Sequence, residues 1–209
     1  MSERTWANTW RYVAGAGVCL LLAYFPFVRG KRVPLLGLVD LGFHELGHLV
    51  TSMLPAVITA SMGSITQVLV PLGIAAYFWL VRRDLMATGL CLAWAGTSAR
   101  DAAVYIADAP YERLQLIGGE HDWAFVLGPS HLNILDRAGL IAATVTGFAV
   151  AFVVAGVVMC ALGLFRNETP GLPPGPGVWN RPAIRFRELP TELLKPQPHE
   201  HAPEVIELP

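Results

Sequence analysis

Five long apolar stretches, separated by short polar segments, constrain what this chain of 209 residues can fold into. A helix needs about 20 mainly apolar residues to cross a bilayer, and these stretches have that length and character. Only 15% of the residues are charged, against about 25% in an ordinary soluble domain, and the mean hydropathy is +0.48. The sequence therefore predicts an all-α, multi-pass transmembrane helix bundle with about five spans. The predicted spans are residues 12–28, 33–54, 64–81, 85–107 and 138–165.

The composition changes after residue 166. Ten of the sixteen prolines fall in residues 167–209, mixed with Glu and Arg. Such a segment cannot bury enough apolar surface to fold alone. We therefore expect a transmembrane domain over residues 1–166 and a disordered, Pro-rich cytoplasmic tail over residues 167–209.

Positive charge orients the predicted spans. Cytoplasmic loops of membrane proteins are enriched in Lys and Arg, and here the basic residues concentrate in the first loop, the third loop and the flank of the last span. With five spans these regions share one side, so we expect the N-terminus outside and the C-terminus in the cytoplasm. The net charge of −1 gives no indication of nucleic-acid binding. The basic residues of these three regions are Arg29, Lys31, Arg32, Arg82, Arg83, Arg166, Arg181, Arg185 and Arg187.

Residues 55–63, between the second and third spans, carry no charge and contain Thr59, Ser61 and several β-branched residues. Non-helical backbone at membrane depth is tolerated only where protein or a wet cavity satisfies its polar groups. Two interpretations are open: a short extended re-entrant piece, or an uncharged turn outside the membrane.

The second predicted span contains the motif His44-Glu45-Leu46-Gly47-His48. On a helix, positions i and i+4 share one face, about 6 Å apart along the axis, so both imidazoles can bind one zinc ion. Glu45 is rotated by about 100° from His44, which places it beside the metal without making it a ligand. The metal lowers the pKa of a bound water and Glu45 acts as the general base.

Ionisable side chains within a membrane span are costly, and each charged group costs about 2.5–3.5 kcal/mol at mid-membrane on insertion scales. The alternative to a metal site is a polar contact between helices, with both histidines neutral. Asp40, His44, His48 and Thr51 form one polar stripe on this helix. Asp40 is either an acceptor for a histidine N–H or a partner in an ordinary interhelical hydrogen bond.

A catalytic zinc ion usually has three protein ligands. The acidic and imidazole-bearing residues after Gly118 and Gly119 are the best source of the third, so either His121 or Asp122 could ligate. We favour Asp122 slightly. The alternative is a loop in which the His-Asp pair is merely exposed to solvent.

The third and fourth spans contribute further polar candidates. Asp101 and Asp108 share one helical face, and we interpret them as cavity-lining or structural residues, with a ligand role for either as the alternative. Arg100 indicates an intramembrane ion pair with Asp101 or separate partners for the two side chains. In the third span, Gln67 lies one turn from Ser64 and could face the same cavity.

The run Phe43-His44-Glu45-Leu46-Gly47-His48 within an apolar helix resembles the site-2-protease class of intramembrane zinc metallopeptidases, family M50, especially its small bacterial M50B-like members. The resemblance implies cleavage of peptide bonds in membrane-embedded substrates within a bacterial inner membrane. It implies a zinc ion held by the two histidines and a distal aspartate, with the glutamate as general base. The family's re-entrant segment has a counterpart in residues 57–63. Its Leu-Asp-Gly motif is absent, and residues 135–137 read Leu-Asp-Arg.

Three functions follow as hypotheses. The first is an intramembrane zinc metalloprotease, acting on membrane-protein or peptide substrates. The second is another zinc-dependent membrane hydrolase, acting on lipid or amide substrates. The third is a non-catalytic membrane protein that handles metal ions or protons through the polar relay of Asp40, His44, Asp101 and Asp108.

Overall fold

The structure, a computed structural model, describes residues 3–116 and 120–165, which belong to one compact unit. Within these residues every regular element is helical and there are no strands, so the predicted all-α class is confirmed. A π-helical turn, Phe78–Arg82, extends α3, and a 3₁₀ turn, Leu135–Arg137, precedes α6. The helices are α1 (Glu3–Phe27), α2 (Leu36–Thr51), α3 (Ala56–Tyr77), α4 (Leu85–Asp108), α5 (Asp122–Leu127) and α6 (Ala138–Phe165).

Among the described residues, three helical segments are long and apolar enough to cross a membrane: Thr9–Phe27, Ala56–Arg82 and Leu135–Phe165. The prediction of a multi-pass membrane protein is supported to this extent. The helix α2 has 16 residues and is about 24 Å long, which is less than the hydrocarbon thickness of about 30 Å. The predicted tail, residues 167–209, lies outside the described residues.

Residues 56–63 form the first two turns of α3, so neither an extended re-entrant piece nor a turn is correct for this segment. Pro55 precedes the helix, and its carbonyl accepts from the N–H groups of Ile58 and Thr59. Side-chain hydroxyls bond carbonyls nearby: Ser61 to Val57 O at 3.0 Å and Thr59 to Thr51 O at 2.7 Å. Hydrogen-bond satisfaction in an apolar setting outweighs the modest strand preference of β-branched residues.

The helix α4 lies at the centre of the bundle and packs against α1, α3 and α6. Glycines allow its close approach to α6. A Cβ at Gly156 would lie 2.5 Å from the carbonyl oxygen of Gly89, and one at Gly96 would lie 2.7 Å from that of Ala149. Small residues at such crossings bring helix backbones together where apolar lipid gives no hydrophobic drive. These contacts pair the start of α4 with the end of α6, so the two helices are antiparallel.

The helices α1 and α4 run in the same direction. Arg11 forms an ion pair with Asp84, which caps the start of α4, and Cys19 donates from its thiol to the carbonyl of Gly89 at 3.6 Å. A Cβ at Gly163, near the end of α6, would strike the ring of Tyr12. The beginning of α1 and the end of α6 therefore lie at the same end of the bundle. This arrangement differs from the prediction that the two ends of the transmembrane domain lie on opposite sides.

The helix α2 packs on α3 in the antiparallel direction. Thr51, at the end of α2, meets Thr59 near the start of α3, whereas Gln67, two turns later, meets His44. Because α3 is also antiparallel to α4, α2 runs in the same direction as α4 and α1. The connection 28–35 must therefore carry the chain back along the bundle. The HExxH histidines consequently face α3 near the end of the bundle opposite Asp84.

Candidate metal centre

The two histidines of the motif lie one turn apart on α2, and each has its Nδ1 atom against a carbonyl-type oxygen. His44 Nδ1 is 3.1 Å from Oε1 of Gln67, and His48 Nδ1 is 2.9 Å from the backbone oxygen of Thr59. Since these oxygens can only accept, each Nδ1 carries the proton and donates it. In the neutral form of each ring, which is the form that binds a metal, Nε2 then has the lone pair.

Gln67 is itself held in place. Its side chain is buried, and its Nε2 donates to the backbone oxygen of Ser98 in α4 at 3.0 Å. Because the amide nitrogen bonds to α4, the amide oxygen faces His44. The sequence prediction gave Gln67 only a place in a cavity, and its contact with His44 follows from the packing of α3 on α2.

Asp122, the first residue of α5, brings its carboxylate to the two free histidine nitrogens. Its Oδ2 atom is 3.1 Å from Nε2 of His44 and 3.3 Å from Nε2 of His48. The three atoms all lie within 4.8 Å of one another. Two imidazole nitrogens and one carboxylate oxygen make up the three-ligand set typical of a catalytic zinc site, which leaves a further position open. The residues present therefore fit a zinc ion.

His121, the other candidate for the third ligand, is directed elsewhere. Its ring is buried, and Nδ1 accepts the N–H of Ala124 at 3.2 Å as the cap of α5. Its Nε2 faces Oδ2 of Asp108 at 3.5 Å. Of the two neighbours, only Asp122 joins the cluster with His44 and His48. The expectation of a solvent-exposed His-Asp pair is wrong, because His121 is buried.

Gly63, in α3, faces the Nε2 atoms of the two histidines. A Cβ at this position would lie 2.6 Å from Nε2 of both His44 and His48. A zinc ion binds an imidazole nitrogen at about 2.0–2.1 Å, so a methyl group at Gly63 would compete for the same space. Gly63 lies in the segment predicted as a turn or re-entrant piece, and this role was not predicted. The available signal was a glycine inside an apolar helix, where it costs helix stability.

Glu45 is exposed and lines a cavity of about 500 Å³ together with His44, His48 and Asp122. The same cavity is bordered by the end of α1, the connection to α2, α4 and the segment before α5. A carboxylate, a candidate metal site and space for a ligand therefore share one chamber. This arrangement suits a general base acting on a small nucleophile such as water.

Asp40 is buried at the junction of α2 and α4. Its Oδ1 accepts from Nε1 of Trp94 at 2.7 Å and from Oγ of Ser98 at 2.8 Å. Of the two interpretations of Asp40, these contacts correspond to the interhelical hydrogen bond. Among the described residues its hydrogen bonds go to α4 and not to a histidine.

Asp101 and Asp108, on α4, lie outside the cluster of three ligand atoms. Asp101 lines the cavity, and its Oδ2 is 3.8 Å from Nε of Arg32. Asp108 accepts the backbone N–H groups of Arg113 and Leu114, both at 2.9 Å, and closes the turn after α4. Within the described residues, the ion pair of Asp101 therefore forms with Arg32, in the connection between α1 and α2.

Two further contacts hold α5 against the bundle. Trp123 donates from Nε1 to Oγ of Ser64 at 3.0 Å, and Tyr105 bonds Asp122 through its hydroxyl. The sequence pattern places Ser64 one turn from Gln67 but indicates neither of these contacts. Because the partners are 17 and 59 residues away, no local pattern indicates them.

No protein-family model, no curated protein and no solved structure matches this chain.

Proposed function

We propose that this protein is an intramembrane zinc metallopeptidase that hydrolyses peptide bonds of membrane-embedded substrates. One observation carries the proposal. Nε2 of His44, Nε2 of His48 and Oδ2 of Asp122 converge within 4.8 Å, with Glu45 on the wall of the same cavity. Three ligands of these types with a neighbouring glutamate are the requirements of metal-assisted hydrolysis.

The hydrogen-bond partners of the two histidines support a metal site as much as the ligand atoms themselves do. Carbonyl-type oxygens of Gln67 and Thr59 fix the proton of each histidine on Nδ1. Partners of this kind orient imidazoles and raise their basicity toward a metal.

The division of labour among the residues is as follows. When bound, zinc supplies a Lewis acid that polarises the scissile carbonyl and makes a water molecule more acidic. Glu45 accepts a proton from the attacking water as the water oxygen bonds to the carbonyl carbon. The same carboxyl group then returns the proton to the leaving amine nitrogen as the carbon–nitrogen bond breaks. His44, His48 and Asp122 hold the metal and take no proton.

We also propose that four helices, α1, α3, α4 and α6, cross the membrane, and that α2 begins within it. The proposal is supported by the equal directions of α1 and α2 and by the short length of α2. We place in the cytoplasm the end of the bundle that carries Asp84 and the last turn of α6, where Arg11, Arg82 and Arg83 lie. Arg29, Lys31 and Arg32 follow the opposite end of α1, so this assignment rests on the expected cytoplasmic position of the C-terminus and not on the charge bias. The candidate metal centre then lies closer to the outer surface, beneath the loop that contains α5.

The test of function is metal content and peptide hydrolysis by the detergent-purified protein. We expect about one zinc per chain in the wild type, in keeping with a single three-ligand site. His44→Ala and Asp122→Ala should lose the metal. Their matched controls, His131→Ala and Asp136→Ala, change exposed residues outside the cavity and should keep it. Absence of zinc from the wild type would refute the proposal.

Glu45→Gln separates hydrolysis from metal binding. We expect it to retain zinc and lose cleavage of a transmembrane peptide, because an amide cannot accept the proton of water. The control Glu112→Gln changes an exposed loop residue away from the cavity and should keep full activity. Zinc binding with hydrolysis of lipid or amide substrates alone would identify a different zinc hydrolase. Zinc binding with no hydrolysis of any substrate would instead favour metal handling.

A further inference from the structure

Asp122 is held by the hydroxyl of Tyr105 in α4, at two points. The hydroxyl oxygen accepts the backbone N–H of Asp122 at 3.0 Å, and the hydroxyl donates to Oδ2 of the same residue at 3.3 Å. This Oδ2 is also the atom that faces both histidines. Tyr105 therefore fixes the position of the backbone and the direction of the carboxylate at once.

Tyr105 is braced in turn by His121. The two rings stack with their centroids 4.2 Å apart and their planes at 29°. Because Nδ1 of His121 accepts the N–H of Ala124, the ring proton lies on Nε2 and faces Asp108. The Nε2 atom is fully buried and has no other partner among the described residues. His121 thus joins the start of α5 to the ring of Tyr105 and to the end of α4.

The local backbone cannot aim Asp122 unaided. The helix α5 has six residues, and a helix this short is marginal without tertiary contacts. Asp122 is its first residue, so no preceding helical turn fixes it. The direction of the carboxylate must come from contacts with other elements, and Tyr105 supplies the hydrogen bonds made to Asp122 by α4.

We propose that Tyr105 is a positioning residue for the metal ligand Asp122, braced by His121 and Asp108. This inference rests on the proposed zinc function, since it concerns the same site. It explains why a buried histidine stands beside the third ligand without joining it. Residues that orient metal ligands typically contribute about 10- to 100-fold to metal affinity or activity.

The experiment measures zinc affinity by competition with a chelator, the electronic spectrum of the cobalt(II)-loaded protein, and thermal unfolding of the metal-free protein. We expect Tyr105→Phe to weaken zinc binding about 10- to 100-fold and to alter the cobalt spectrum. Its control is Tyr111→Phe, since Tyr111 is exposed in the nearby loop and its ring lies against the guanidinium of Arg113. The control should leave the affinity and the spectrum unchanged.

A second variant, His121→Phe, keeps the ring stack and removes both ring nitrogens. We expect a smaller loss of zinc affinity, about 10-fold, with His131→Phe as its control. Unchanged affinity in Tyr105→Phe would overturn the inference, and so would a loss of turnover at unchanged affinity, which would place Tyr105 on the substrate. A loss of metal-free stability with an unchanged cobalt spectrum would also overturn it. If the wild type binds no zinc, the proposed function fails and this inference fails with it.

Discussion

Gly63 on α3 lies so close to His44 on α2 that a methyl group on its α-carbon would be 2.6 Å from Nε2 of the histidine. The same methyl group would be equally close to His48. The space in front of both nitrogens is therefore kept open by the absence of one side chain.

Gly63→Ala should abolish zinc binding. The added Cβ occupies the region where a metal ion would bond both histidines, although alanine is a better helix former than glycine. Gly73→Ala on the same helix is the matched control, because a Cβ there would meet nothing within 4 Å. Metal analysis of both purified variants is the measurement. A Gly63→Ala protein that retains a full zinc ion would contradict the placement of the metal.

Gln67→Leu should weaken zinc binding by about 10- to 100-fold. Leucine fills similar space but offers no oxygen to Nδ1 of His44, so the ring loses the bond that fixes its proton and orientation. The control is Gln115→Leu, an exposed glutamine at the rim of the same cavity. Chelator competition gives both affinities, and equal values would show that the bond to His44 is without effect.

Asp40→Ala should lower stability and leave zinc affinity within a few-fold of the wild type. The change leaves the N–H of Trp94 and the hydroxyl of Ser98 without their acceptor, at a cost of about 1–3 kcal/mol for each buried group. Thermal unfolding in detergent is compared with the exposed control Asp136→Ala. A loss of zinc affinity as large as that of Gln67→Leu would show that Asp40 acts on the histidines after all.

Gly156→Val should destabilise the bundle. A Cβ at Gly156 would lie 2.5 Å from the backbone oxygen of Gly89, and backbone cannot move aside as a flexible side chain can. Overpacking of this kind costs about 1–3 kcal/mol or more. Gly147→Val, on the same helix with open space around it, is the control. Similar unfolding temperatures for the two variants would argue against the close crossing of α4 and α6.

Labelling of single cysteines should place the start of α1 and the turn after α3 on one side of the membrane. In a background without Cys19, Cys91 and Cys160, a membrane-impermeant thiol reagent should modify Trp6→Cys and Arg82→Cys only in inside-out vesicles. Glu112→Cys should react only in right-side-out vesicles. If Trp6→Cys and Glu112→Cys react in the same vesicle orientation, an even number of crossings precedes α6 and the total is odd. That result would refute the proposed four crossings.

Much of the fold could be read from local pattern. The predicted fifth span, 138–165, coincides with α6, and the fourth, 85–107, differs from α4 by one residue. Long apolar runs determine helices because an unpaired backbone group in hydrocarbon is so costly. The prediction was wrong at residues 55–63 because β-branched and hydroxyl side chains leave the local preference open, and the hydroxyls of Thr59 and Ser61 bond within the helical arrangement.

The directions of the helices could not be predicted in the same way. A count of membrane crossings from the sequence assumes that successive apolar segments alternate in direction. The helices α1 and α2 instead run in the same direction. The ion pair between Arg11 and Asp84 and the contact of Tyr12 with Gly163 are tertiary facts. The number of Lys and Arg residues on each side of the membrane can be counted from the sequence only after the direction of each helix is known.

The sequence by itself determined the helical class, the apolar segments and the pair of histidines one turn apart with Glu45 between them. These features depend on residues close together in the chain, where helix periodicity fixes their relative positions. Only the tertiary structure decided which neighbour joins the histidines. Asp122 and His121 differ by one position in the sequence, but the start of α5 turns one side chain toward α2 and the other toward Asp108. That choice, and the open space left by Gly63, depend on how α3, α4 and α5 pack around α2, which no local pattern encodes.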